Sequence, residues 1–210
     1  MRQTMPDVTI YNASALPESD VTVAAATDII TSAAAHGLSV GDKLQFTTTD
    51  TLPAGLSLLT NYYVISTPSA TTFKVSATPG GSSVDITDTG TGTHTYHLKG
   101  RMVYVGDYRH INIALNFTDT PTMTVKAQGS DQRDGVDCSL AQSATNRWEY
   151  LDIIDNEDGA SIDGDTGVAC SGSADNRSFS YNNDGKQWIS FDITAYTAGK
   201  VSIIVSAYND

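Results

Sequence analysis

The chain has 210 residues, with 24 acidic against 12 basic side chains and a formal net charge of −12, enough length for one large domain or two small ones around a real core. The charge argues against nucleic acid, which needs clustered Lys and Arg, and the lack of any Lys/Arg run argues against an anionic membrane surface. Seventeen Gly, six Pro and abundant Ser and Thr suit a turn-rich β-protein.

Taken in chain order, "MRQTMPDVTI" lacks an apolar core of signal-peptide length, and no later stretch approaches membrane-spanning length. The expectation is synthesis in a cytoplasm. "DVTIYNAS" (7–14) alternates through Val8 and Ile10 and reads as a first strand. The Ala-rich "AAATDIITSAAAHG" could form a short helix ending at Gly37, but Thr27, Ile29, Ile30 and Thr31 favour a strand.

Residues 27–97 read as five or six short strands in close order. These are "KLQFTTT", "NYYVIST", "TTFKVSA", "SVDITDT" and "THTYHL", punctuated by "TLPAGLSL", "PSA", "TPGGS" and "GTG". Leu44, Phe46, Tyr62, Val64, Phe73, Val75, Val84 and Ile86 form a candidate core for a small barrel or sandwich. "HGLSVGD" (36–42) reads as the turn that launches its strand 43–46.

From residue 101 a second regime begins, with strands separated by longer polar loops, notably 129–147 and 155–177. "INIALNF" puts Ile111, Ile113, Leu115 and Phe117 on one face, with Asn112 and Asn116 opposite. "MTVKAQ", "WISFDITAY" and "VSIIVSAY" repeat the period of two, which marks antiparallel sheets with one face in a core. The expected fold is therefore all-β: an antiparallel, jelly-roll-like β-sandwich carrying an inserted small β-barrel or sandwich domain. Residues 1–23 would supply an N-terminal arm and the first host strand, 24–97 the inserted domain, and 98–210 the rest of the host.

Residues 35–95 closely resemble a module recurrent in tailed-bacteriophage virion proteins, through "HGLSVGD", "LPAGL", "YYVI", "TTFKVSATPGG" and "DTGTGTHT". The second half also resembles phage structural proteins, through "YRHINIAL", "WEYLDIIDNEDGASIDGDTGV" and "WISFDITAYTAGKVSIIV". The resemblance implies a non-enzymatic virion assembly protein, first of all a capsid decoration (cement) protein on the outside of the head, and the lack of any motif with catalytic spacing adds the expectation of no cofactor. A tail, neck or fibre-base subunit is the alternative within that class. A carbohydrate-binding or hydrolysing receptor module is the alternative outside it. The partners implied are the major capsid protein or other virion subunits, in a homo-oligomer expected to be a trimer. Residues 1–20, with Arg2 beside Met5 and Val8, are expected to help anchor it.

The sharpest local chemistry is "DIIDNEDGASIDGD" (152–165). Asp152, Asp155, Glu157, Asp158, Asp163 and Asp165 could offer oxygen ligands to calcium. The spacing departs from an EF-hand, with Glu157 at the third place and Gly159 at the fifth instead of the sixth. The favoured reading is a loop of Asx-turns. His94 and His97 would face opposite sides of a strand and cannot share a zinc ion, and His36 is expected to hydrogen-bond backbone. No G-x-S-x-G elbow occurs, and the Gly-rich "TPGGSS" and "GTGTH" lack a Walker lysine, so they read as turns. Cys138 and Cys170 read as reduced thiols. Trp148, Tyr150, Tyr181, Trp188, Tyr196 and Tyr208 could line a carbohydrate-binding face, but read first as sandwich core plus subunit interface.

Overall fold

The computed structural model describes residues 3–12, 14–173 and 175–209. Its described elements are all strands, and the chain divides into two compact units: residues 1–13 with 100–210, and residues 14–99.

The 14–99 unit is a closed six-stranded barrel. Its strands are β2 (Glu18–Ala24), β3 (Ile29–Ser32), β4 (Lys43–Thr48), β5 (Tyr62–Ser66), β6 (Thr72–Ser76) and β7 (His94–Lys99), in the order β2-β3-β6-β5-β4-β7. Closure leaves no sheet edge exposed. Inside lie Ile30, Leu44, Phe46, Phe73, Ile86 and Tyr96, each at most 1% exposed, with Phe73 meeting both Tyr96 and His36 edge-on. The expected boundary at 23/24 moves to 13/14. Glu18 to Val21 pair with β7 and Val21 to Ala24 with β3, so this strand completes the barrel instead of entering the host. "SVDITDT" runs extended without becoming a ladder strand. Its amides are satisfied singly, Val84 on the Val75 carbonyl, Ile86 on the Asp28 carboxylate and Thr87 on the Ala54 carbonyl; Val84 is half-buried rather than core.

The turn at "HGLSVGD" is held by His36. Its Nδ1 accepts the Leu38 amide at 2.8 Å and Nε2 faces the Thr72 carbonyl at 3.4 Å, which requires a proton on Nε2 and none on Nδ1. Gly37 has φ +61, and a Cβ there would lie 1.7 Å from the Ser14 carbonyl oxygen, so no other residue fits.

The second unit contains β1 (Thr4–Tyr11), β8 (Val103–Tyr104), β9 (His110–Ser130), β10 (Glu149–Tyr150), β11 (Ile153–Asp155), β12 (Ser161–Ile162), β13 (Val168–Ser171), β14 (Asn176–Asn182) and β15 (Trp188–Tyr208). All nine belong to one hydrogen-bonded antiparallel sheet, whose main path is β1-β15-β9-β14-β11-β12. At 21 residues each, β9 and β15 would span about 70 Å if straight, well beyond usual strand lengths. They bend instead. Asp119, Thr120 and Ala195 have φ of 60, 54 and 48°, and the register between the strands slips around Ala198. Before the bend, β9 pairs with β14; after it, with β13 and β10.

The two halves pack face to face. Tyr11 lies opposite Ile203 in the C-terminal half of β15, yet its hydroxyl reaches the Phe191 carbonyl in the N-terminal half, at 3.4 Å. Ile111, Ile113, Leu115 and Phe117 before the corner, and Met123, Val125 and Ala127 after it, are all buried, so the alternation in the sequence marks the core. Ser190, on the expected solvent face, is buried too and hydrogen-bonds the Arg101 carbonyl at 3.2 Å. The first host strand, expected at 7–14, is the paired strand Thr4–Tyr11, and Arg2 lies outside the described residues.

Candidate functional site

The acidic loop is distributed over local turns. The Asp155 carboxylate accepts the Glu157 amide at 3.0 Å and pairs with Arg177 at 2.6 Å. Asp158 accepts the Ala160 amide, Asp163 the Thr166 amide and Asp152 the Gly164 amide. The bonds of Asp155, Asp158 and Asp163 are the Asx-type turns anticipated from the composition, whereas that of Asp152 ties two segments twelve residues apart. Glu157 is exposed, and the main-chain carbonyl of Asp165 accepts Lys126 Nζ. Among the described residues, no three His, Cys, Asp or Glu side chains gather into a metal-binding group. Asp155 is the one buried member. The Glu157 amide holds its carboxyl below the ordinary value against the effect of burial, and Arg177 adds to the shift.

Both cysteines are buried and unbridged, and burial together with Asp175 pushes the Cys170 thiol up, away from reactive thiolate. On β7, His94 is buried and His97 faces outward, where it meets Glu18 at 2.9 Å.

The six aromatics, read as sandwich core plus subunit interface, are all half-exposed, so none belongs to the fully buried core. Each sits at a strand position facing out or at a sheet end, where its polar atom can reach a partner. The Trp148 indole N–H donates to Leu140 O and that of Trp188 to Arg133 O, both at 2.9 Å. Tyr208 stacks on His110 at 5.0 Å, and Tyr196 donates to the Gly199 carbonyl at 3.1 Å.

Three of them converge. After β10 pairs with the second half of β9, the chain crosses through Leu151 and Asp152 to β11, which pairs with β14 through Ile154↔Ser180 and Asp155↔Phe179. This crossing borders an open cleft of about 470 Å³, walled by residues 149–152, Ile154, residues 180–182 and Asp184. A smaller hollow of about 200 Å³ adjoins it at Trp148, Glu149 and Lys186. The crossing is held close by Gly164, where a Cβ would lie 2.7–2.8 Å from the backbone of Tyr150 and Leu151.

Trp148 meets the Tyr150 ring edge-on at 5.4 Å, and Lys126 Nζ sits 4.8 Å from the centre of that ring. Burial, then the charge of Asp192, raises the Tyr150 hydroxyl pKa, and burial also raises that of Tyr181, so both are neutral donors at ordinary pH. Lys186 is ion-paired with Glu149; burial works against its charge, but that bond and charge hold its pKa up. Trp148, Tyr150, Tyr181 and Asp152 were legible as candidate types in the sequence. Ser180, Asn182, Asp184 and Lys186 were not, because only the β11–β14 pairing brings them to the crossing.

No protein-family model and no curated protein matches this chain. Two solved structures resemble it in part. The SPBc2 prophage-derived protein YomS matches at 14% identity and a TM-score of 0.37, over 53% of this chain and 80% of that one. The PBSX exported protein XepA matches at 9% identity and a TM-score of 0.37, over 100% of this chain and 86% of that one. Similarity at this level carries no assignment to this chain.

Proposed function

We propose that the protein is a non-enzymatic structural component of a tailed-phage virion, and within it a decoration protein on the outer face of the head. There it would contact the major capsid protein or neighbouring subunits as a trimer. One observation carries this reading: the landmarks by which residues 35–95 resemble the virion module are the positions that build the barrel. His36 and Gly37 fix its entry turn, "YYVI" and "TTFKVS" supply β5 and β6, and the "DTGTGTHT" turn is pinned by Asp88 accepting the Ala54 and Gly90 amides. The resemblance thus falls on a continuous part of the barrel, β4 to β6 with their turns and the start of β7, and leaves out β2 and β3, which close it.

The net charge of −12 supports an outer position, since packaged DNA would repel it while solvent favours it. Edge strands such as β1 need a covering or a guard, and closed cyclic symmetry is the common way for soluble chains to associate. Quantitative mass spectrometry of purified virions tests the reading. Copies in step with the major capsid protein are expected; a handful per particle would place the chain in tail, neck or fibre base instead. Hydrolysis of host polysaccharide that disappears on changing a carboxylate among residues 149–165 would overturn the non-enzymatic part.

A further inference from the structure

We propose that the cleft between the β10–β11 crossing and the end of β14 binds a neutral oligosaccharide. The shape comes first. At about 470 Å³ and more open than enclosed, it suits a ligand lying across it rather than a small molecule enclosed on all sides.

The lining gives the chemistry. A sugar ring presents a C–H face and a rim of hydroxyls. Tyr150 and Tyr181 offer half-exposed rings to the first, and the Tyr150 ring is already positioned by Trp148 and Lys126. Asp152 and Asp184 offer acceptors to the second, and the Asn182 amide, whose oxygen lies 3.2 Å from His110 Nδ1, offers its N–H donors. Asp152 is fixed by the Gly164 amide at 2.8 Å, so the acceptor is oriented before a ligand arrives.

Charge narrows the class. The cleft wall carries Glu149, Asp152 and Asp184, while both neighbouring lysines are engaged, Lys186 with Glu149 and Lys126 with the Asp165 carbonyl. A phosphate, sulfate or carboxylate would meet repulsion there, and an uncharged polyol would not. The inference concerns this cleft alone and is independent of where the protein sits in a particle.

The test is titration of the full chain, followed by ¹⁵N NMR, with neutral pentasaccharides of glucose, galactose, mannose and N-acetylglucosamine. A sulfated pentasaccharide and a lysine-rich peptide serve as controls. At least one neutral sugar should give saturable shifts confined to the cleft. Tyr181→Ala should weaken it about tenfold, as loss of one stacking ring implies, with a cooperative thermal transition retained. Tyr196→Ala, which changes an aromatic that hydrogen-bonds Gly199 outside the cleft, should leave binding intact. Failure of every neutral sugar to saturate, binding insensitive to Tyr181→Ala, or cleft shifts with the sulfated sugar or the peptide alone would each overturn the proposal.

Discussion

At His36 a buried ring links an amide two residues ahead to a carbonyl in β6, and it packs against Phe73 at 5.3 Å. His36→Ala should cost the barrel about 2–3 kcal/mol, because it leaves the Leu38 amide without its acceptor and opens space beside Phe73. His36→Asn, whose amide oxygen can take the place of Nδ1, should recover part of that loss in urea unfolding of the full chain. Among the described residues, Asp155 is one of two carboxylates, with the exposed Asp88, whose depressed pKa ties stability to pH. Its folded pKa is depressed, so its stabilisation is complete above the unfolded carboxyl value of about 3.9 and is lost as the pH falls from there through the folded value. Asp155→Asn should flatten unfolding free energy against pH below about pH 4, and should cost about 1–3 kcal/mol at neutral pH by stranding Arg177. A slope unchanged by the substitution would remove Asp155 from the acid response.

The long strands are organised by their corner. Ala195 sits in the left-handed region at φ 48°, where a Cβ costs about 1 kcal/mol and glycine pays nothing. Ala195→Gly should therefore stabilise the unit, by about 0.5 kcal/mol after the added freedom of the unfolded chain is counted. Ala198→Gly, three residues on and paired with Thr122, should destabilise it by about 0.5–1 kcal/mol. Opposite signs at two alanines so close together would identify the bend as a built feature; equal losses in thermal unfolding would contradict it. The same bend creates the cleft, since β10 attaches to one half of β9 while β11 reaches the other half through β14.

The whole molecule joins two units, each with its own buried apolar set. The chain leaves the second unit after residue 13 and re-enters at Gly100, where an added Cβ would stand 2.8 Å from the Tyr11 ring, so the exit and return segments approach each other within that unit. Replacing residues 14–99 with a short Gly-Ser linker should leave residues 1–13 and 100–210 cooperatively folded, with a stability change of about 1 kcal/mol or less, because loop-closure entropy grows slowly with length. Residues 14–99 expressed alone should fold, since a closed barrel needs no neighbour to cover an edge. Loss of a cooperative transition in either piece would mean one shared core.

The all-β class, the alternating faces and most of the barrel core were legible in the sequence, because an apolar set at period two can be buried in only one way along a strand. Residues 111–117 and 201–205 alternate in burial as their pattern requires. The Asx-turns of 155–166 were legible for a related reason, as Asp and Asn bond amides within a few residues of themselves. Assigning residues 18–24 to the barrel, bending β9 and β15, half-exposing the six aromatics and assembling the cleft were decided by the tertiary structure. Each depends on pairing between segments far apart in the chain, such as β2 with β7 or β11 with β14, and local periodicity is the same whichever partner a strand finds.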